Sequence, residues 1–252
     1  MNEENKTEKI DTVADEASVT VDDLLKAGVH FGHKISRWHP SMKKFIFGER
    51  KGVHIINLNE TLVMLEKTRT FIEETVAKNG IILHIGTRKH VQKKIVELSE
   101  ETAMPYITHK WIGGFLTNWP VIKRQILKLK KGSEEKEKGE WNKYTKREQL
   151  LMERNLNKLH LLYGGVLPLE KLPDAMFIAD CKENKTAIAE AVRLHIPIIA
   201  ICDTNVDVRT IAYPIPSNDD GIKSTNLIID YIKNAELSGR KKLQSEKSPA
   251  AS

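Results

Sequence analysis

The chain has 252 residues, of which 40% are hydrophobic and 29% charged, and this composition suits one globular core or one domain with a large insertion. Lysine and arginine exceed the acids by six, which favours a polyanionic partner, with nucleic acid ahead of an acidic membrane surface. No apolar run reaches the roughly 18 residues of a membrane span, and the acidic start lacks the layout of a signal or transit peptide, so we expect a cytoplasmic protein.

Charge is unevenly distributed over the first part of the chain. Residues 1–26 carry eight acids and three lysines, whereas residues 28–54 carry six bases and one acid. We interpret residues 1–17 as a disordered acidic tail, and the basic stretch as the beginning of an interacting surface.

Three histidines, His30, His33 and His39, stand close together in AGVHFGHKISRWH (27–39). Zinc would require further ligands, and no cysteine is near in sequence. Catalysis would require a nucleophile motif or paired carboxylates, and neither occurs. We therefore predict a glycine-permitted loop whose side chains hydrogen-bond phosphates and 2′-hydroxyls and stack on unpaired bases, with a metal site as the open alternative.

From Gly52 onward, short apolar runs alternate with amphipathic ones. The apolar runs are GVHIINL (52–58), IILHIG (81–86), MPYITH (104–109), AMFIAD (175–180) and IPIIAICD (196–203). Helices are predicted between Asn59 as N-cap and Asn79-Gly80, and over 88–101, 184–194 and 221–236. Strand alternating with helix predicts an α/β fold with a parallel sheet and helices on both faces.

The two cysteines, Cys181 and Cys202, lie in or beside the last two apolar runs. This placement predicts two core thiols in a reducing compartment and not a disulfide framework.

About 65 residues separate the third and fourth runs, far more than a crossover helix requires. The apolar residues of this interval form two narrow seams: Trp119, Ile122, Ile126 and Leu129, then Met152, Leu156, Leu159 and Tyr163. A polar, turn-rich joint separates them, so we predict an antiparallel coiled-coil hairpin over 113–165. It would be inserted in a sheet domain of residues 18–112 and 166–236, followed by a flexible tail at 237–252.

The predicted hairpin carries a run of five bases without an acid over residues 123–131. A solvated helix face usually mixes both signs, so the run favours contact with phosphates, and a solvated face is the alternative.

The segment IGTRKH (85–90) follows the second run, at the edge where doubly wound sheets bind ligands. Both phosphate-loop motifs are absent. Arg88, Lys89, Lys93 and Lys94 have no acid nearby in sequence and suit an RNA backbone, and an anion site without a biological role is an equal alternative.

Two aspartates, Asp180 and Asp203, end the fourth and fifth runs. Such a pair can hold Mg²⁺, but we expect these side chains to cap the turns that follow.

Several of these segments carry a family resemblance. LLKAGVHFGHKISRWHPSMKKFIFGERKGVHIINL, HIGTRKH, MPYITHKWIGGFLTNW, LPDAMFIAD, IPIIAICDTN and YPIPSNDDGIKS follow one another between about residues 20 and 235. Together they resemble the bacterial-type family of small-subunit ribosomal protein two. Departures are Cys181 after Asp180, where proline is expected, and His39 and Lys110, where asparagine and arginine are more usual.

The resemblance implies a Rossmann- or flavodoxin-like sheet with an inserted coiled-coil hairpin, in agreement with the spacing. It further implies a non-catalytic protein of the small ribosomal subunit that binds ribosomal RNA, contacts neighbouring ribosomal proteins and helps to dock ribosomal protein one. No cofactor, metal, membrane or small-molecule substrate is expected. The alternative hypothesis is a nucleotide- or sugar-phosphate-dependent enzyme at the same sheet edge.

The residues predicted to bind RNA come from four segments. They are His30, His33, Lys34, Arg37, Trp38, Lys43 and Lys44; Arg88, Lys89, Lys93 and Lys94; Lys110, Trp111 and Asn118; and Lys123, Arg124, Lys128, Lys130 and Lys131.

Overall fold

A small antiparallel sheet opens the fold in the computed structural model, which describes residues 19–247 and side chains through residue 245. It follows helix α1 (Val21–Ala27) and consists of β1 (Phe31–Lys34), β2 (Ile46–Arg50) and β3 (Val53–Ile56) in the order β1-β3-β2. The run GVHIINL is thus a strand as predicted, but it does not belong to the parallel sheet. The tight turn at Lys51 and Gly52, both with positive φ, returns the chain antiparallel to β2 instead of crossing over.

The main sheet has five parallel strands, and four of the predicted runs form it. Its members are β4 (Ile82–Ile85), β5 (Tyr106–Ile107), β6 (Ala175–Ile178), β7 (Ile198–Cys202) and β8 (Tyr213–Pro216), in the order β5-β4-β6-β7-β8. Strand β8 was not predicted, because its residues YPIP include two prolines. Proline is tolerated there because β8 is an edge strand.

Alternate residues of the main sheet point to opposite faces and enter two separate cores. Helices α2 (Leu58–Ala77), α3 (Lys89–Thr102) and α7 (Ile222–Lys247) cover one face, where Phe177 and Ile199 are fully buried. Helix α6 (Lys185–Arg193) contributes Ala187 to the core on the other face. The prediction of a parallel sheet with helices on both faces is confirmed.

Two long helices, α4 (Trp119–Glu137) and α5 (Lys146–Tyr163), fill the interval between β5 and β6. Ile122, Ile126 and Leu129 of α4 are buried, as the apolar spacing predicts. The helices pack on each other, since a Cβ on Gly132 would lie 2.9 Å from Leu156 Cδ1.

The ends of the predicted helices differ from the observed ones in two places. Asn57 caps α2 by accepting from the Asn59 amide, so the N-cap lies two residues before the predicted one. Helix α7 continues past the predicted end at 236 to Lys247, so residues 237–247 are not a flexible tail. The extension packs on α2, where a Cβ on Gly239 would lie 2.9 Å from the Glu73 carbonyl oxygen. The acidic tail at 1–17 and the last five residues lie outside the described part.

Candidate nucleic-acid interface

The carboxyl ends of the parallel strands bring together polar side chains from five segments of the chain. The residues that follow the strands are Thr87 and Arg88 after β4, His109 and Lys110 after β5, Asp180 after β6, Asp203 after β7, and Asp219 and Asp220 after β8. Such an edge is the usual ligand-binding side of a doubly wound sheet. Here the edge carries both basic and acidic side chains. The contacts between these side chains decide which ligands the edge can bind.

The histidine-rich segment lies on this edge. The His33 amide donates to Thr204 Oγ1 over 2.9 Å, and the His39 amide donates to the Thr204 carbonyl over 2.7 Å. A Cβ on Gly32 would lie 2.6 Å from Thr204 Cγ2, so the close approach requires glycine. The predicted loop is wrong for residues 31–34, which form β1, because their backbone pairs with β3.

His33 stands among carboxylates. Its Nδ1 lies 3.0 Å from Asp203 Oδ2, and its Nε2 lies 3.5 Å from Asp220 Oδ2. The hydrogen bond to Asp203 raises the pKa of His33 above its ordinary value, against the opposing effect of burial. A histidine held in this way is committed to its carboxylates and is a poor free ligand for RNA phosphates.

The same cluster has the composition of a divalent-cation site. Ligand atoms of His33, Asp203 and Asp219 lie within 4.8 Å of one another. Both Asp219 oxygens lack a hydrogen-bond donor among the described residues, although Arg88 Nη1 lies 3.2 Å from one of them. Burial raises the pKa of Asp219 to about 6. Three nitrogen and oxygen ligands with one position left for water can hold zinc or a similar ion.

No cysteine lies near His33 in sequence, but the fold brings Asp203 and Asp219 to it from loops more than 160 residues away. Asp203 Oδ1 accepts from the Thr204 amide over 2.5 Å, which confirms its predicted role in capping the turn.

His30 is half-buried and packs against Phe31 of the same segment. Its ring centroid lies 4.0 Å from that of Phe31, and its Nδ1 is buried without a hydrogen-bond partner among the described residues. Burial lowers the pKa of His30, so the neutral ring is favoured. The environment fits a packing role better than the predicted contact with RNA.

Asp180 occupies the N-terminus of α3. Its Oδ2 accepts from the Thr87 and Arg88 amides over 3.2 and 3.0 Å, and its Oδ1 accepts from the Asn184 amide group over 2.6 Å. The Thr87 and Arg88 amides lie just before and at the N-cap of α3, which begins at Lys89. A carboxylate of the protein itself thus stands at the anion site considered at IGTRKH and disfavours a phosphate there.

Two of the four predicted cations near α3 are neutralised. Arg88 Nη1 lies 2.7 Å from Asp220 Oδ1, and Lys94 Nζ lies 2.8 Å from Asp230 Oδ1. These acids are distant in sequence but close in space, because α7 and the loop before it bring them from about 130 residues away. Lys89 and Lys93 remain exposed.

Trp111 is part of the core and not of the surface. Its side chain is 7% exposed, and its Nε1 donates to Glu190 Oε1 over 3.0 Å. The same carboxylate accepts from the Gly114, Leu116 and Thr117 amides. Burial raises the pKa of Glu190, but these hydrogen bonds outweigh it and hold the pKa below its ordinary value. The segment from Trp111 to Thr117 is therefore fastened to α6, and the enclosed ring of Trp111 does not suit its predicted role in RNA binding.

Most of the predicted cations do form an exposed basic surface. Within residues 19–245, the following are exposed and have no ion-pair partner: Lys34, Arg37, Lys43, Lys44, Lys89, Lys93, Lys110, Lys123, Arg124, Lys128 and Lys130. Lys131 is 79% exposed and lies 3.7 Å from Glu135. Trp38 is 37% exposed, and Asn118 is exposed at the start of α4. These side chains can meet phosphates and, at Trp38, an unpaired base.

A buried Ser–His–Glu arrangement resembles the catalytic residues of a hydrolase. His84 Nδ1 lies 2.7 Å from Ser99 Oγ, and its Nε2 lies 2.7 Å from Glu236 Oε1. All three side chains are at most 2% exposed, so no substrate can reach the hydroxyl. The arrangement joins β4, α3 and α7 inside the core.

Asp219, Asp220, Glu190 and His109 matter at this edge and were missed in the sequence. A usable signal existed for the first two, because NDD follows the run YPIP as Asp203 follows β7. Glu190 carried no local signal, since it lies within an ordinary amphipathic helix.

The described residues contain no helix long and apolar enough to cross a bilayer. The sequence profile of the family described as "Ribosomal protein S2" matches residues 24–239.

Three similar bacterial proteins all carry the name "Small ribosomal subunit protein uS2". That of Corynebacterium jeikeium is 42% identical over 229 residues, or 89% of this chain and 81% of the relative. That of Corynebacterium urealyticum is 40% identical over 237 residues, or 93% and 88%. That of Micrococcus luteus is 42% identical over 222 residues, or 88% and 78%.

Proposed function

Because the chain belongs to the ribosomal protein S2 family, it is a non-catalytic constituent of the bacterial, cytoplasmic small ribosomal subunit, and we propose that it binds small-subunit ribosomal RNA through its exposed, unpaired cations. The observation that carries the proposal is the separation of charges. Arg88 and Lys94 are paired with acids of α7 and the loop before it, whereas the basic groups of residues 34–44 and four cations of α4 are exposed without acidic partners. The four cations of α4 are Lys123, Arg124, Lys128 and Lys130. Such groups gain most from phosphates, because no internal ion pair has to be broken.

We further propose that α4 and α5 form the antiparallel coiled-coil hairpin, inserted over 113–165 between the two parts of the sheet domain. Its support is the burial of the α4 seam and the pairing of Lys136 Nζ with Glu153 Oε1 at 2.6 Å. The hairpin would carry the five bases of residues 123–131 to RNA away from the sheet.

Neighbouring ribosomal proteins, including protein one, complete the proposed partners. The support for protein one is the family resemblance alone. Subunits assembled without this chain should hold less protein one, and an unchanged amount would contradict that partner.

The direct test is binding to small-subunit RNA at several salt concentrations, with co-sedimentation on small subunits beside it. Each lost phosphate contact should reduce the steepness of the salt dependence by about 0.7–0.9 units of log K per log salt. Replacing Lys123, Arg124 and Lys130 by alanine should therefore flatten the dependence by about two units. A control with the same charge loss replaces the exposed Lys67, Lys223 and Lys241. Salt-independent binding by the wild-type protein would refute the proposal.

A further inference from the structure

A polar crevice opens at the centre of the carboxyl edge, between the loops after β4 and β6. Strand β5 lies on one side of β4 and β6 lies on the other, so the chain reverses its direction of winding at this point. Crevices at such reversals are the usual ligand sites of doubly wound sheets. This one measures about 480 Å³, within the range of about 300–1,000 Å³ typical of small-ligand sites.

Basic side chains outnumber acidic ones in the lining of the crevice. Lys89, His109 and Lys110 line it, are exposed, and have no ion-pair partner within the described part of the chain. Glu183 is the acid among the lining residues, and Thr186 lies beside it at the start of α6. Lys89, His109 and Lys110 come from the start of α3 and from the loop after β5, so they line the same space from two segments.

A free nucleotide with a terminal phosphate does not fit this crevice. Its phosphates would seek the amide donors around the N-terminus of α3, but the Asp180 carboxylate stands there and accepts from the Thr87 and Arg88 amides. A phosphate brought to that point would meet this anion. The remaining cations, Lys89 and Lys110, are exposed at the crevice, where a chain of diester phosphates can run past them.

We propose that this crevice binds one unstacked nucleotide of single-stranded RNA, with Lys89 and Lys110 on the flanking diester phosphates and His109 beside the sugar or base. Proteins recognise RNA sequence mostly through such splayed-out nucleotides, which a paired helix cannot supply. The inference rests on the proposed function and adds to it a preference for unpaired RNA at one defined place.

The test compares a fluorescein-labelled single-stranded hexaribonucleotide of mixed sequence with a fully paired RNA duplex, by fluorescence anisotropy with the full-length protein. Thr186→Trp fills the crevice without changing its charge, because Thr186 is exposed there. Lys89→Ala with Lys110→Ala removes its two lysines, and Lys67→Ala with Lys241→Ala removes the same charge elsewhere.

We expect Thr186→Trp to weaken binding of the single strand about tenfold and to leave duplex binding within twofold, since one base contact is lost. The Lys89/Lys110 pair should weaken the single strand more than the Lys67/Lys241 control does. Equal affinity of Thr186→Trp and wild type for the single strand would overturn the inference, as would competition by a nucleoside diphosphate. Either result leaves intact the co-sedimentation and salt dependence that test the proposed function, so the two can fail separately.

Discussion

Replacing Glu190 by glutamine should destabilise the protein through a segment that was expected to bind RNA. The two carboxylate oxygens accept from four N–H groups: Oε1 from Trp111 and Gly114, and Oε2 from Leu116 and Thr117. Glutamine keeps one acceptor oxygen and turns an NH₂ group toward the other two donors. Whichever way the amide is oriented, two N–H groups lose their acceptor.

The magnitude follows from those two donors. A buried donor left without a partner costs about 1–3 kcal/mol, so Glu190→Gln should lower the free energy of unfolding by about 2–6 kcal/mol. This is a large share of the roughly 5–15 kcal/mol that stabilises a typical domain. Urea unfolding followed by far-ultraviolet circular dichroism measures it, with the exposed Glu183→Gln as the matched control.

The pH dependence gives a second check on the same residue. Because the folded pKa of Glu190 lies below its ordinary value of 4.5, the stability from its charge is complete above pH 4.5 and is lost as the pH falls through the folded pKa. The difference between wild type and Glu190→Gln should therefore shrink below pH 4.5. A loss of less than about 1 kcal/mol at pH 7 would refute the reasoning.

The remaining predictions concern the edge beside β1. Burial raises the pKa of Asp219 from 3.8 to about 6, so its contribution to stability is complete below pH 3.8 and is lost as the pH rises through 6. With a chelator present, the free energy of unfolding of the wild type, measured in urea, should fall by up to about 3 kcal/mol across this pH window. Asp219→Asn should not show this fall, and a pH profile identical to that of the wild type would contradict the prediction. Added Zn²⁺ should raise the melting temperature of wild type but not of His33→Ala, and equal responses would exclude His33 as a ligand. Gly32→Ala should cost about 1–3 kcal/mol because its Cβ would meet Thr204, whereas the open position Gly48→Ala should cost less than 1 kcal/mol.

The parallel sheet could be predicted because its evidence is local. Runs such as AMFIAD are apolar on both faces and end in polar residues, and β6 and β7 occur where these runs predict them. The strand run before α2 was assigned to the wrong sheet, because partner choice depends on the turn at Lys51 and Gly52. The prolines of β8 concealed a strand that lies at an edge.

The candidate interface was predictable in its charges and not in their pairing. Lysines and arginines are visible in any sequence, and most of those named are exposed. Whether a cation is available depends on acids that the fold brings to it, as Asp220 comes to Arg88 and Asp230 to Lys94. The burial of Trp111 likewise depends on Glu190, 79 residues further along the chain.

The attachment of the histidine-rich segment to the loop after β7 also limits when this segment can fold during synthesis. The His33 amide and its acceptor Thr204 are separated by 171 residues. At about 5–20 residues per second, a ribosome needs about 10 to 35 s to make that stretch. During this time the segment has no Thr204 loop to bind. A chain that ends before residue 203 lacks the hydrogen-bond acceptors of the His33 and His39 amides. The histidine-rich segment can therefore take its final position only near the end of the protein's own translation.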